Sequence, residues 1–154
     1  MILDKLIEFC DSTVLTSVTT VTGSNAGAVF GNVIDLGGTT VYPANSDCVF
    51  LVVQVPTAAT SGGSATGTFS LISHTAATLT GGTTHWTSSA IAVASMTAGA
   101  QLACFCLPRG AYKQYLGLWL DVNTADFTAG KIDAFLTDTP PTDFTVTYAD
   151  GLAK

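Results

Sequence analysis

The residues best suited to chemistry are few and widely spaced in this sequence. Two histidines, His74 and His85, flank a glycine-containing turn, and Cys104 and Cys106 share one face of a predicted strand. Zinc sites normally use a Cys-x-x-Cys loop or histidines at ligand spacing, and neither pattern occurs. We therefore expect no metal site, and we interpret both histidines as partly exposed polar residues near strand ends.

Catalytic motifs are absent from the sequence as well. Serine is common, but no G-x-S-x-G nucleophile elbow occurs. A glycosidase needs two facing carboxylates, whereas Glu8 is the only glutamate and the ten aspartates fall mostly in predicted turns. We expect no catalytic residue, no cofactor and no small-molecule substrate, so the sequence predicts that the protein is not an enzyme.

One acidic segment has the outline of a calcium loop. Residues 121–133 place Asp121, Asn123 and Asp126 close together. The sixth position lacks the glycine of a calcium loop, and Ile132 occupies the position of the bidentate glutamate. The pattern therefore favours a plain hairpin connection between two strands.

The low charge of the chain excludes further classes of function. Only 10% of residues are charged, against about 25% in ordinary soluble domains, and residues 48–108 carry no charge at all. Five scattered cations and a net charge of −6 do not suit nucleic-acid binding. No apolar window is long enough for a membrane helix, and residues 1–10 lack the basic start and cleavage site of a secretory signal. We expect the four cysteines to be buried free thiols.

Apolar residues alternate with polar ones in short runs between turns rich in Gly, Ser, Thr and Pro. This pattern predicts an all-β fold, a sandwich or barrel of eight or nine short strands in a single domain. The clearest strands are residues 49–55, 66–73, 89–95, 101–107, 114–122 and 130–138, and weaker ones are residues 13–21, 30–36 and 144–148.

The ends of the chain differ from this pattern. The spacing of Ile2, Leu3, Leu6, Ile7 and Cys10 predicts a short N-terminal helix with one apolar face. We therefore expect residues 1–12 to form an arm or short helix, residues 13–148 the sandwich, and residues 149–154 a C-terminal tail. Such a short helix needs a surface to pack on, which is either this domain or a partner.

Two predicted strands, residues 114–122 and 101–107, are apolar on both faces. In residues 114–122, four aliphatic residues from Leu116 to Val122 alternate with Tyr115, Gly117 and Trp119. Strands of this kind are normally covered on both sides, by a loop, an arm or another subunit. We interpret the pattern as evidence for contact with another chain. Trp119 itself fits the core, a contact between subunits, or a platform for glycan stacking.

Several stretches in order along the chain resemble one known family. They are ILDKLIEFCD at residues 2–11, NVIDLG at residues 32–37, FLVVQV through GTFSLISH within residues 50–74, and YLGLWLDV through FTAGKIDAFLTD within residues 115–138. Together they resemble the capsid cement (decoration) proteins of tailed bacteriophages, of the type first described in a Bordetella phage.

The resemblance implies an all-β, jelly-roll-like antiparallel sandwich of about eight strands. It also implies a structural virion protein that self-associates, as a dimer or trimer, on the outer surface of the capsid. Its partner there is the major capsid protein, whose subunits it bridges, and it is made in the bacterial host cytoplasm. The candidate contact residues are Ile2, Leu3, Leu6, Ile7, Phe9 and Trp119. The alternative is a receptor- or glycan-binding domain of a phage tail or appendage, because sandwiches serve both uses.

Overall fold

The protein is a sandwich of two antiparallel β-sheets. The structure, a computed structural model, describes residues 7–18, 27–43 and 48–139. Its strands are β1 (Glu8–Val14), β2 (Ala28–Asp35), β3 (Phe50–Ser61), β4 (Thr66–His74), β5 (Thr83–Thr87), β6 (Ile91–Ala92), β7 (Gln101–Cys106), β8 (Tyr115–Asn123) and β9 (Phe127–Thr137). Short 3-10 turns follow β1 and β6 at Leu15–Ser17 and Val93–Ser95.

The strand order confirms the predicted jelly-roll-like fold. The first sheet has the order β1-β9-β3-β7, and the second has the order β2-β8-β4-β5, with β6 also pairing with β4. Successive strands β1 to β4 alternate between the two sheets, as they do in a jelly roll of two Greek keys. The two-residue β6 is not counted in this comparison. All pairings are antiparallel.

The core lies between the two sheets and follows the predicted alternation. In β8, Leu116, Leu118, Leu120 and Val122 are buried in the core, so Trp119 and its alternate neighbours face outward. Phe30 of β2 and Phe69 of β4 meet edge to face, with ring centroids 6.1 Å apart. Burial of these apolar side chains is the main source of stability for such a domain.

The prediction of a helix through Cys10 is wrong for the described residues. Residues 8–14 form β1, which crosses the expected boundary at residue 12 and pairs with β9. Bulges on either side of Cys10 break the regular alternation of inward and outward side chains. As a result, two consecutive residues, Phe9 and Cys10, are both fully buried. In sequence, the adjacent apolar residues of a bulged strand resemble those of one helical turn, which is why the pattern predicts a helix.

Most other predicted strands are confirmed, with two exceptions. Residues 89–95 contain only β6 and a 3-10 turn. Of the strand predicted at residues 13–21, only Thr13 and Val14 belong to a strand, β1, and Leu15–Ser17 form a 3-10 turn, while residues 19–21 lie outside the described residues. The sequence interpretation also missed β5, because its TTHWT sequence resembles a turn. The strand predicted at residues 144–148 and the tail at residues 149–154 lie outside the described residues.

The outer face of the second sheet is partly covered by the chain itself. Leu79, in the connection between β4 and β5, is 1% exposed and packs over Gly117 of β8. A Cβ atom on Gly117 would lie 2.5 Å from Leu79 Cδ1, so a larger residue here would displace the Leu79 side chain. At this point the cover is a loop of the chain itself, and not the second chain that the sequence pattern led us to expect.

Candidate interaction surfaces

The residues predicted to form the N-terminal contact differ in their exposure to solvent. Ile7 is 38% exposed at the start of β1, whereas Phe9 is fully buried in the core. Phe9 is therefore a core residue, which corrects its inclusion in an exposed contact surface. Ile2, Leu3 and Leu6 lie outside the described residues.

Trp119 lies on the outer face of the second sheet, which rules out the core interpretation. It is half-buried in β8, between Val29 of β2 and Ser70 of β4. Its indole Nε1 donates a hydrogen bond to Asp121 Oδ1 at 3.3 Å. Gly27 packs directly against this pair, because a Cβ atom there would overlap both side chains. The indole is therefore held in one orientation, with part of its surface open to solvent.

A buried polar cluster at one end of the sandwich joins residues far apart in sequence. Ser73, at 0% exposure, forms a 2.7 Å hydrogen bond with His85 Nε2, and its Oγ accepts the backbone N–H of Lys113 at 3.0 Å. The His85 ring stacks on Tyr112 with centroids 3.7 Å apart. The Tyr112 hydroxyl in turn donates to the Pro108 carbonyl at 2.8 Å. The cluster ties residues 107–114 to β4 and β5.

The electrostatics of this cluster favour its uncharged form. Burial lowers the pKa of His85 from its ordinary value, and burial raises the pKa of Tyr112 to about 12. A neutral imidazole can accept the Ser73 hydroxyl hydrogen at Nε2, which leaves Ser73 Oγ free to accept from Lys113.

A serine bonded to a histidine is also the pairing of a nucleophile and a base. Here Ser73 is fully buried and already accepts a backbone hydrogen bond, so the geometry is that of a structural clamp. The sequence interpretation placed both histidines near strand ends, and the structure agrees for His74, the last residue of β4, and for His85 in the short β5. It missed the partnership with Ser73, for which the sequence contains no local signal.

The prediction of four free buried thiols is wrong. Cys48 and Cys106 form a disulfide with Cα atoms 5.5 Å apart, because the pairing of β3 with β7 brings the two segments together. Cys104 is free and exposed. Only Cys10 fits the prediction: it is free and buried, and burial raises the pKa of its thiol to about 12.

The acidic segment at residues 121–133 connects β8 to β9, but these two strands belong to different sheets. The prediction of a hairpin is therefore wrong, and the segment is a crossover from one sheet to the other. Asp133 accepts hydrogen bonds from the Ser12 backbone N–H at 2.7 Å and from Gln54 Nε2 at 3.4 Å. Across the parts of the chain that the structure describes, no group of three or more His, Cys, Asp or Glu residues has the geometry of a metal site. The same residues include no helix long and apolar enough to cross a membrane.

Comparison with known proteins gives one family. The family model described as Bbp16 matches residues 16–136, which run from the 3-10 turn after β1 to the penultimate residue of β9. The match covers all strands except β1, and it includes every stretch of the resemblance except residues 2–11 and the last two residues of the final stretch. No curated protein matches the chain.

Proposed function

Because the chain belongs to the Bbp16 family, a family of bacteriophage proteins, we propose that it is a capsid cement protein. In this role it binds the outside of the phage head and bridges major capsid protein subunits. It is made in the bacterial host cytoplasm and becomes part of the outer surface of the virion. Its partners are the major capsid protein and further copies of itself, as a dimer or trimer.

The position of the uncharged segment in the fold is the observation that supports this proposal best. Residues 48–108 contain strands β3 to β7, which are neighbours on one side of each sheet. Trp86 of β5 and Phe105 of β7 are in contact across the sheets, with ring centroids 4.7 Å apart. The two edges therefore lie on the same side of the sandwich. We call this charge-free part, residues 48–108, the uncharged half.

The edges of the uncharged half are suited to contact with other chains. Among the described residues, β5 and β7 are the terminal strands of their sheets on this side. Exposed edges usually carry charged side chains that discourage pairing with another protein, and these edges carry none. An uncharged surface also loses no charge hydration when it is buried. This combination suits a surface that is covered by assembly.

A cement protein stabilises a shell through mass action. If it binds the assembled lattice and not free capsid subunits, its binding free energy adds to the stability of the shell. Many copies arranged around symmetry axes add avidity, so that modest individual contacts are sufficient. The chemistry required is surface complementarity, without a catalytic step.

The proposal is tested by the copy number and position of the protein in purified phage particles. We expect hundreds of copies per particle, located on the outside of the head in a reconstruction. A few or tens of copies at the tail would instead support the receptor- or glycan-binding alternative, for which the half-exposed Trp119 is a candidate contact. Absence of the protein from purified particles would refute both.

A second experiment tests the uncharged half directly. Thr83 in β5 and Gln101 in β7 are exposed, as is Thr16 in the 3-10 turn after β1, outside the uncharged half. We expect Thr83→Lys combined with Gln101→Lys to weaken self-association or head binding, because a charge must then be buried. Thr16→Lys is the control and should behave like the wild type. Equal behaviour of all three proteins would show that these edges are not contact surfaces.

A further inference from the structure

Positive charge is concentrated in one loop of this acidic protein. Among the described residues the cations are Arg109, Lys113 and Lys131, and the first two lie within five positions of each other. Arg109 is exposed and Lys113 is partly exposed. Neither side chain forms an ion pair within the described residues. The loop at residues 107–114 therefore presents two available cations at one end of the sandwich.

The backbone of this loop is held firmly in place. Tyr112 is fully buried and forms two backbone hydrogen bonds with Val41, of 2.9 and 2.8 Å. The backbone N–H of Lys113 is anchored by Ser73, as described above. These contacts fix the loop from both sides of its central residue. Less conformational entropy is then lost when the loop binds a partner.

An exposed aromatic residue lies beside the same loop. Tyr42 is 55% exposed, the largest exposed fraction among the large apolar residues described. It follows Val41, which pairs with the buried Tyr112. Neighbours of a paired residue point to the opposite side of a strand, so Tyr42 and Lys113 both face away from the core.

We propose that Tyr42, Arg109 and Lys113 form a docking surface for an acidic protein surface with an apolar niche that receives the Tyr42 ring. This inference rests on the proposed function and assigns the surface to contact with the phage head. Tyrosine and arginine are the residue types favoured at the centres of protein interfaces. Because the chain as a whole has a net charge of −6, an acidic partner is attracted by the two cations of this loop and repelled by the acidic parts of the surface, which favours docking through the loop.

Among the described residues, two carboxylates belong to the same end and limit the size of the basic surface. Asp35 accepts hydrogen bonds from the Gly37 backbone N–H at 2.8 Å and from Gln114 Nε2 at 3.3 Å, so both of its oxygens are engaged. Asp138 follows β9 and is exposed. The docking surface is therefore the local group formed by Tyr42 and the two cations, and it excludes the rest of this end.

The test uses expanded heads of the phage that encodes this chain, prepared without the protein. Purified full-length protein is added over a range of concentrations and NaCl levels, and bound copies per head are counted. We expect Arg109→Glu combined with Lys113→Glu to bind at least tenfold more weakly, with less dependence on salt. Tyr42→Ala should also weaken binding several-fold.

Matched controls separate this surface from general effects. Lys131→Glu reverses a cation on β9, and Val14→Ala shortens an exposed apolar residue on β1, and both should bind within about twofold of the wild type. Wild-type binding by the loop variants would overturn the inference while leaving the proposed function intact. An equal loss in Lys131→Glu would also overturn it, because net charge would then be the cause. Failure of the wild type to bind heads would refute the proposed function itself.

Discussion

Replacement of Ser73 by alanine gives the sharpest test of the structure, because one small side chain bridges three segments. Its Oγ accepts the N–H of Lys113 at 3.0 Å and is hydrogen-bonded to His85 at 2.7 Å, within a fully buried site. Alanine fills nearly the same space but offers no partner. A buried N–H and a half-buried imidazole nitrogen are then left without their hydrogen bonds.

The expected cost follows from these contacts. A buried backbone N–H without a partner costs about 1–3 kcal/mol. His85 is partly exposed, so water replaces much of its lost bond. We therefore expect Ser73→Ala to lower the free energy of unfolding by about 2 kcal/mol. In a domain of this size that corresponds to a fall in Tm of roughly 4–8 °C.

The assay is urea unfolding and calorimetry of the isolated protein at pH 7.5. Ser64→Ala is the matched control, because Ser64 is exposed in the connection between β3 and β4, and its effect should stay within about 0.5 kcal/mol. If Ser73→Ala were as stable as the control, Ser73 would not hold residues 107–114 in the way described.

Three further predictions concern stability, titration and thiol reactivity. Leu79→Ala should lower the free energy of unfolding, measured in urea, by about 2–3 kcal/mol, which is the lower end of the range for buried leucines because the site is near the surface. A change below about 0.5 kcal/mol would show that Leu79 does not cover the outer face of the second sheet. Because burial lowers the pKa of His85, the folded protein binds fewer protons than the unfolded chain, so unfolding free energy should fall as pH drops below about 6.5. His85→Gln should reduce that pH dependence, and an unchanged profile would contradict the assignment. An alkylating reagent without reductant should modify Cys104 in the folded protein and Cys10 only after unfolding, since Cys10 is buried; mass spectrometry that finds Cys10 modified first would refute this.

Strand prediction from the sequence succeeded where burial and alternation agree. In β8 the leucines fall on every second position, and the structure buries all of them. Prediction failed where tertiary contacts replace the pattern. The strand β5 is mostly hydroxyl-bearing residues, and its position depends on Trp86 packing against Phe105 of the other sheet. In β1, bulges at Cys10 disrupt the alternation on which prediction depends.

The candidate surfaces were less predictable than the strands. The sequence placed Trp119 on the strand face opposite the leucines but left open whether that face is core or surface. Its outward position, its hydrogen bond to Asp121 and the close approach of Gly27 needed the structure. The surface formed by Tyr42 and the basic loop was not predicted. Residues 41 and 112 are distant in sequence, and no local pattern indicates that their backbones pair.

The sequence alone determined the all-β class, the absence of charge from residues 48–108 and the faces of the central strands. These properties depend on local residue order, since alternation and turn chemistry act over a few positions. Only the tertiary structure decided that the uncharged residues form one side of the sandwich, and that Ser73, His85 and Tyr112 meet beneath the basic loop. Those arrangements depend on long-range strand pairing, which is set by how the whole chain buries its apolar surface and pairs its backbone groups.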